Sequence, residues 1–183
     1  MQGLTFGCFA FGRKAAAAAD RAATLGFNVV AHDPYVDDSD LRSRGIEPVS
    51  FDDLIGRSDV LSLHAPLTEE TEGVINADQF ERLPEDAILI NTARGEIVDE
   101  DDLVEALDKG TLSGAGLDVL AVEPPQSENP LLGRDDTIVT PHAAWYSDEA
   151  LERVRNRGTK NAIAALRGEA TEGIVNPDSL EHR

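Results

Sequence analysis

The segment Ala10-Phe-Gly12-Arg13-Lys14-Ala15 places a glycine at the centre of a turn, with alanine two residues before it and three after. Gly12 lets the backbone approach a pyrophosphate at a helix N-terminus, and alanine at the third position still permits close packing of helix on strand. Ala10 is a departure from that fingerprint. If the first position requires a positive φ, its methyl group strains the turn and reshapes the phosphate site. Twenty-one residues beyond Gly12 lies Asp33. A carboxylate there accepts hydrogen bonds from an adenosine ribose and repels a 2′-phosphate, which favours NAD over NADP. The competing reading makes Asp33 the cap of a turn before Pro34. Histidine, which titrates near neutrality and so carries protons, occurs at only four positions, His32, His64, His142 and His182. His64 and His142 fall within motifs at strand ends. His32 reads as strand-end structure and His182 as part of a tail. The sequence assigns no metal site.

The elements that must position these residues alternate between strand and helix. An apolar strand at 4–9 runs into an alanine-rich helix from 12 to about 25, stopped by Gly26. Further strands are predicted at 27–31, 60–63, 87–90, near 113 and at 137–140. Helices are predicted at 39–44, 51–56, 76–83, 99–109 and 147–167. Ser50 with Asp53 three residues on has the capping-box spacing, and Gly110 and Gly168 stop the last two helices. Strands that are apolar on both faces and alternate with helices indicate a parallel sheet covered on both sides by right-handed crossovers. The expected fold class is therefore α/β, a doubly wound Rossmann sheet, with chemistry beyond the carboxyl ends of its strands.

Composition narrows the function classes. At 183 residues the chain has the size of one ordinary domain. Sixteen basic against 35 acidic residues give a formal charge of −19, a field that repels phosphate backbones and acidic membrane surfaces, so no nucleic-acid or membrane partner is expected. The lone Cys8 has no intrachain partner, which fits a reducing, cytoplasmic setting. No apolar run is long enough to span a bilayer and no signal peptide is visible. The acids spread from Asp20 to Glu181, and the lysines are only Lys14, Lys109 and Lys160. Such a solvated carboxylate surface resembles that of halophilic proteins, in which molar salt screens self-repulsion.

Four longer motifs follow in order. They are Ser58-Asp-Val-Leu-Ser-Leu-His64-Ala-Pro66-Leu-Thr68-Glu-Glu-Thr71, Ala87-Ile-Leu-Ile-Asn91-Thr-Ala-Arg94-Gly95-Glu-Ile-Val-Asp99, Gly116-Leu-Asp118-Val-Leu-Ala-Val-Glu123-Pro124 and Thr140-Pro-His142-Ala-Ala-Trp145. Together they resemble the D-isomer-specific 2-hydroxyacid dehydrogenases, over about residues 3–176. The resemblance implies catalytic roles for Arg94, Glu123 and His142. Oxidising a 2-hydroxy acid needs a base for the hydroxyl proton as hydride leaves the carbon, and His142 is matched to that role. A carboxylate beside it, implied to be Glu123, favours the imidazolium and fixes the ring. A guanidinium fork, implied to be Arg94, holds the substrate carboxylate and polarises the carbonyl oxygen.

The same resemblance implies that Gly12, Arg13 and Lys14 lie near the pyrophosphate of NAD and Asp33 on its ribose. It implies that Ala65, Thr92, Ala93 and Arg94 line the nicotinamide half, that Asp118 meets the carboxamide, and that Ala144 and Trp145 border the nicotinamide beside His142. His64 is expected to shape the loop beside the cofactor or to serve as a satisfied structural histidine. The string from His142 to Ser147 is similar to the C-terminal binding protein branch, whose animal members are NAD-sensing transcriptional corepressors. Family members place a substrate-binding domain largely before the cofactor domain, and that part is expected to be largely absent here. The resemblance then divides the chain into an NAD-binding domain at 1–148 and a C-terminal helix and tail at 149–183 that would return to the missing part.

Three readings follow. The chain is the NAD domain of a dehydrogenase for a small 2-hydroxy or 2-keto acid, or an NAD-binding, corepressor-like module without turnover, or a remnant whose Ala10 has removed cofactor affinity. The resemblance also implies a homodimer through the cofactor domains.

Overall fold

The computed structural model describes residues 1–169, 171 and 173; His182 and most of the expected tail lie outside them. Seven parallel strands form one sheet: β1 (Thr5–Phe9), β2 (Asn28–His32), β3 (Glu47–Pro48), β4 (Val60–Leu63), β5 (Ile88–Asn91), β6 (Gly114–Leu117) and β7 (Thr137–Val139). Their spatial order is β3-β2-β1-β4-β5-β6-β7. Chain direction across the sheet therefore reverses between β1 and β4, the crevice where doubly wound sheets bind ligands. The helices are α1 (Arg13–Thr24), α2 (Asp38–Ser43), α3 (Phe51–Arg57), α4 (Ala77–Phe80), α5 (Glu100–Lys109) and α6 (Asp148–Leu166), with a 3-10 turn at Gly95–Ile97. The α/β reading of the sequence is thus what the chain adopts.

Local chemistry explains these elements. The alanine run gives α1 a small-residue face, with Ala15, Ala19 and Ala22 buried together with Cys8, Ala31 and Leu41 in one core layer. Burial pushes the Cys8 thiol up to about 12, so it behaves as a small apolar group. The other layer packs Leu54, Ile55, Phe80, Leu103 and Leu107 of the helices on Leu61, Leu63 and Leu89 of the strands. Ser50 caps α3 by accepting the Asp53 N–H at 3.0 Å, and Asp99 caps α5 by accepting from both Asp101 and Asp102. The helix expected at 76–83 is only one turn, Ala77–Phe80, after which the chain tightens through the Arg82 N–H to Gln79 O bond before Pro84.

The chain forms two compact units, residues 1–144 and 145–183. In the second, Ser147 caps α6 by accepting the Ala150 N–H at 3.0 Å, and Trp145 meets Tyr146 edge-on with ring centroids 5.6 Å apart. No helix among the described residues is long and apolar enough to cross a membrane.

Candidate active site at the carboxyl edge of the sheet

The loops after β1 and β2 meet over the crevice. Ala10 takes φ 68°, the left-handed conformation that glycine would adopt without strain. Its N–H donates to His32 O at 2.8 Å, and the next amide, Phe11 N–H, donates to Asp33 Oδ2 at 2.8 Å. Asp33 Oδ1 accepts the Tyr35 N–H at 2.9 Å. The turn-capping reading of Asp33 is thus realised, and each oxygen keeps a second lone pair for a ribose hydroxyl. Gly12 caps α1 without any side-chain bond to the first-turn N–H groups, and a methyl group built on it would meet no atom within 4 Å. That open approach to unoccupied helix amides fits a pyrophosphate. A cleft of about 700 Å³ continues from Ala10 and Asp33 past Tyr35 to Ala65 and Val74. These residues fit the adenosine half of a dinucleotide.

A neighbouring cleft of about 400 Å³ gathers Lys14, His64, Ala65, Thr92, Ala93 and Arg94. The loop bearing Arg94 is folded by Asn91, which is 1% exposed. Its Nδ2 donates to Arg94 O at 2.8 Å and its Oδ1 accepts the Ala93 N–H at 3.0 Å. Sequence reasoning gave Asn91 no role, although a polar residue ending an apolar strand is the signal that finds it. His64 Nε2 lies 3.0 Å from Ser62 Oγ. Burial, helped by the positive charge of Lys14, lowers its pKa to about 4, so the ring is neutral at pH 7.

A third cleft, about 530 Å³, holds Asp118, Leu120, Glu123, Thr140 and His142. Glu123 Oε2 lies 2.8 Å from His142 Nδ1. That hydrogen bond, opposed by burial and helped by the Leu120 N–H, holds the Glu123 carboxyl below its ordinary value. Asp118, 5% exposed, accepts from Thr140 Oγ1 at 2.6 Å, from Ala143 N–H at 2.8 Å and from Ala144 N–H at 2.9 Å. Burial works against its charge, but these bonds and the nearby His142 hold its carboxyl below its ordinary value. The carboxylate thereby clamps the turn on which His142 sits at φ 51°. The family resemblance implies a cofactor contact for Asp118 but not this clamp.

The structure therefore brings together Lys14, Ala65, Thr92, Ala93 and Arg94 in one cleft and Asp118, Glu123 and His142 in another, with Ala144 on the Asp118 clamp. Gly12 and Arg13 line a separate hollow of about 430 Å³ beside Arg44. Trp145 opens the second unit. His32 has the structural role expected of it: its Nδ1 lies 3.1 Å from Val49 O and its ring stacks on Phe9.

Comparison with known proteins bears on this geometry. Residues 1–144 match the family described as "D-isomer specific 2-hydroxyacid dehydrogenase, NAD binding domain". A glyoxylate reductase of Korarchaeum cryptofilum is 39% identical over 99% of this chain and 54% of its own length. A hydroxypyruvate reductase of Blautia hydrogenotrophica is 36% identical over 92% of this chain and 52% of its own. The chain spans about half the length of these two relatives. Among solved structures, the D-lactate dehydrogenase of Lactobacillus jensenii with NAD+ superposes with a TM-score of 0.86, at 32% identity over 94% of this chain and 55% of that one. The D-lactate dehydrogenase of Aquifex aeolicus, complexed with NAD and lactic acid, gives 0.82 at 35% identity over 91% and 54%.

Proposed function

The chain belongs to the D-isomer specific 2-hydroxyacid dehydrogenase family as its NAD-binding domain, and from that premise we propose that it binds NAD and serves an oxidoreductase acting on the CH–OH group of a small D-2-hydroxy acid. The observation that carries this reading is the Glu123–His142 pair at 2.8 Å on a turn clamped by Asp118. NAD, when bound, supplies the hydride acceptor. His142 takes the hydroxyl proton at Nε2, the ring nitrogen opposite the one that faces Glu123. Glu123 fixes the tautomer and favours the imidazolium that results. Arg94 offers a guanidinium fork to the substrate carboxylate. Gly12, Arg13 and Lys14 serve the pyrophosphate and Asp33 the ribose, while Asp118 and Ala144 border the nicotinamide.

The experiment is an NADH titration read by quenching of Trp145 fluorescence, with NADPH as control. Saturable NADH binding with much weaker NADPH binding is expected, and no binding of either by a folded sample overturns the reading. Turnover of D-lactate, D-glycerate or 3-phosphoglycerate that is lost in His142→Ala then separates a dehydrogenase from a corepressor-like module that binds without turnover.

We infer further a homodimer, which the family resemblance implies, and a cytoplasmic setting and halophilic surface, which the lone cysteine and the acidic composition suggest. Light scattering tests the dimer. A thermal midpoint that rises from low to molar KCl tests the surface, since the charge of −19 is screened by salt.

A further inference from the structure

Gly95, which follows Arg94, leaves no room for a side chain. A methyl group built on it would overlap the Leu120 carbonyl and the Ala121 nitrogen, both of them backbone, so no flexible group there can give way. The loop that carries Arg94 is thus pressed against the segment that leads to Glu123. Glu100 at the start of α5 also reaches that segment. Its Oε1 accepts the Ala121 N–H at 2.5 Å and its Oε2 the Asn129 Nδ2–H at 3.4 Å. One amide earlier, the Leu120 N–H donates to Glu123 Oε1 at 3.0 Å, and Glu123 Oε2 faces His142 Nδ1. A short run of bonds therefore leads from α5 through the backbone at 120–121 to the imidazole.

Satisfying the Ala121 N–H does not explain Glu100. Ala121 is exposed, so water would serve that amide as well. What a carboxylate on a helix adds over water is a fixed position. The first turn of α5, capped by Asp99, anchors its backbone, and the helix dipole favours its charge there.

We propose that Glu100 is a positioning residue of the active site, fixing the 120–123 turn against Gly95 so that Glu123 is aimed at His142 and the pair is kept in register with the Arg94 loop. The proposal deepens the dehydrogenase reading and rests on it for the role of His142. Its geometric content is separable and is tested without turnover.

The test uses the 183-residue chain, labelled for NMR, as wild type, Glu100→Ala, Glu100→Asp, Glu100→Gln and, for reference, Glu123→Gln. The His142 ring ¹⁵N signals and the Glu123 carboxyl titration are the readouts. Glu100→Gln keeps an oxygen for the Ala121 N–H and is expected to stay close to wild type. Glu100→Ala loses that acceptor, and Glu100→Asp withdraws it by one methylene while keeping the charge. In both, the His142 signals are expected to move most of the way to those of Glu123→Gln, and the Glu123 midpoint to rise toward the ordinary carboxylate value. Glu100→Asp carries the test if Glu100→Ala fails to fold. Unchanged His142 and Glu123 signals in a folded Ala or Asp variant would overturn the proposal, as would a Gln variant that behaves like Ala, since charge rather than position would then be at work. NADH affinity of the wild-type chain is measured alongside and reports on the nucleotide end. Its loss in wild type would count against the dehydrogenase reading while leaving the positioning result intact.

Discussion

The turns after β1 and after β7 each force a non-glycine residue into the left-handed region, Ala10 at φ 68° and His142 at φ 51°, yet they are held in different ways. Ala10 is fixed by backbone, through its own bond to His32 O and the bond of Phe11 N–H to Asp33. Glycine would adopt the same turn without the cost. His142 is held by two carboxylates from outside its turn, Asp118 through Thr140, Ala143 and Ala144 and Glu123 through the ring itself. There the side chain is needed, and the surroundings over-determine the backbone that carries it. Strain at one end is a sequence departure that the fold tolerates, and at the other it accompanies the placement of an imidazole against Glu123.

The sharpest way to break this contrast is to remove the clamp. Asp118→Ala deletes a buried carboxylate and leaves the Thr140 hydroxyl and two N–H groups to find other partners. A loss of about 2–3 kcal/mol in folding stability is expected. Denaturant melts read the loss, and disappearance of the His142–Glu123 signature by NMR reads its local consequence. Asp118→Asn keeps an acceptor but no charge and should fall between wild type and Ala. Equal stability in all three would show that the turn holds itself.

Between the two strained turns stands His64, and its effect is read in pH. Its folded pKa is lowered to about 4 from an ordinary 6.5, so the unfolded chain binds its proton more readily. Stability from this site is then complete above pH 6.5 and is lost as pH falls toward 4, by on the order of 3 kcal/mol. His64→Asn should flatten the melting midpoint over that window. The lowered Asp118 and Glu123 carboxyls act lower down, their contribution being present above the ordinary carboxylate range and lost as pH falls through their folded values. A variant whose slope between pH 6.5 and 4 matches wild type would place the proton uptake elsewhere.

How far the sequence disclosed all this follows from the range over which each signal acts. β4 and β5 are legible because short runs dominated by Val, Leu and Ile between turn residues have few other uses. α3 and α5 are legible from Ser50, Asp99 and Gly110 at their ends. β3 is two residues, Glu47 and Pro48, paired only with Val30 and Ala31, too short to show a period. The 3-10 turn at Gly95–Ile97 depends on the backbone of Leu120 and Ala121 pressing on Gly95, a contact that no local pattern encodes. Within the site, Gly12 and Asp33 announce themselves by spacing along one βαβ unit. The Asp118 clamp does not, because its partners at Thr140, Ala143 and Ala144 reach it only through the β6–β7 register that sets Leu117 beside Val139.

The smallest effect expected sharpens the comparison from the nucleotide end. A left-handed alanine costs about 1–2 kcal/mol relative to the right-handed regions, and Ala10→Gly removes that cost. Against it stand the extra freedom of glycine in the unfolded chain, about 0.4–1 kcal/mol, and the contact the Ala10 methyl makes with the core, against which it is packed half-buried. The balance is a gain of about 0.5 kcal/mol, which a thermal melt resolves. NADH should bind no worse, because the glycine turn keeps the geometry that alanine already adopts. If Ala10→Gly is instead destabilised, the methyl contact outweighs the backbone strain, and Ala10, like His142, is a residue whose side chain the strained turn exists to place.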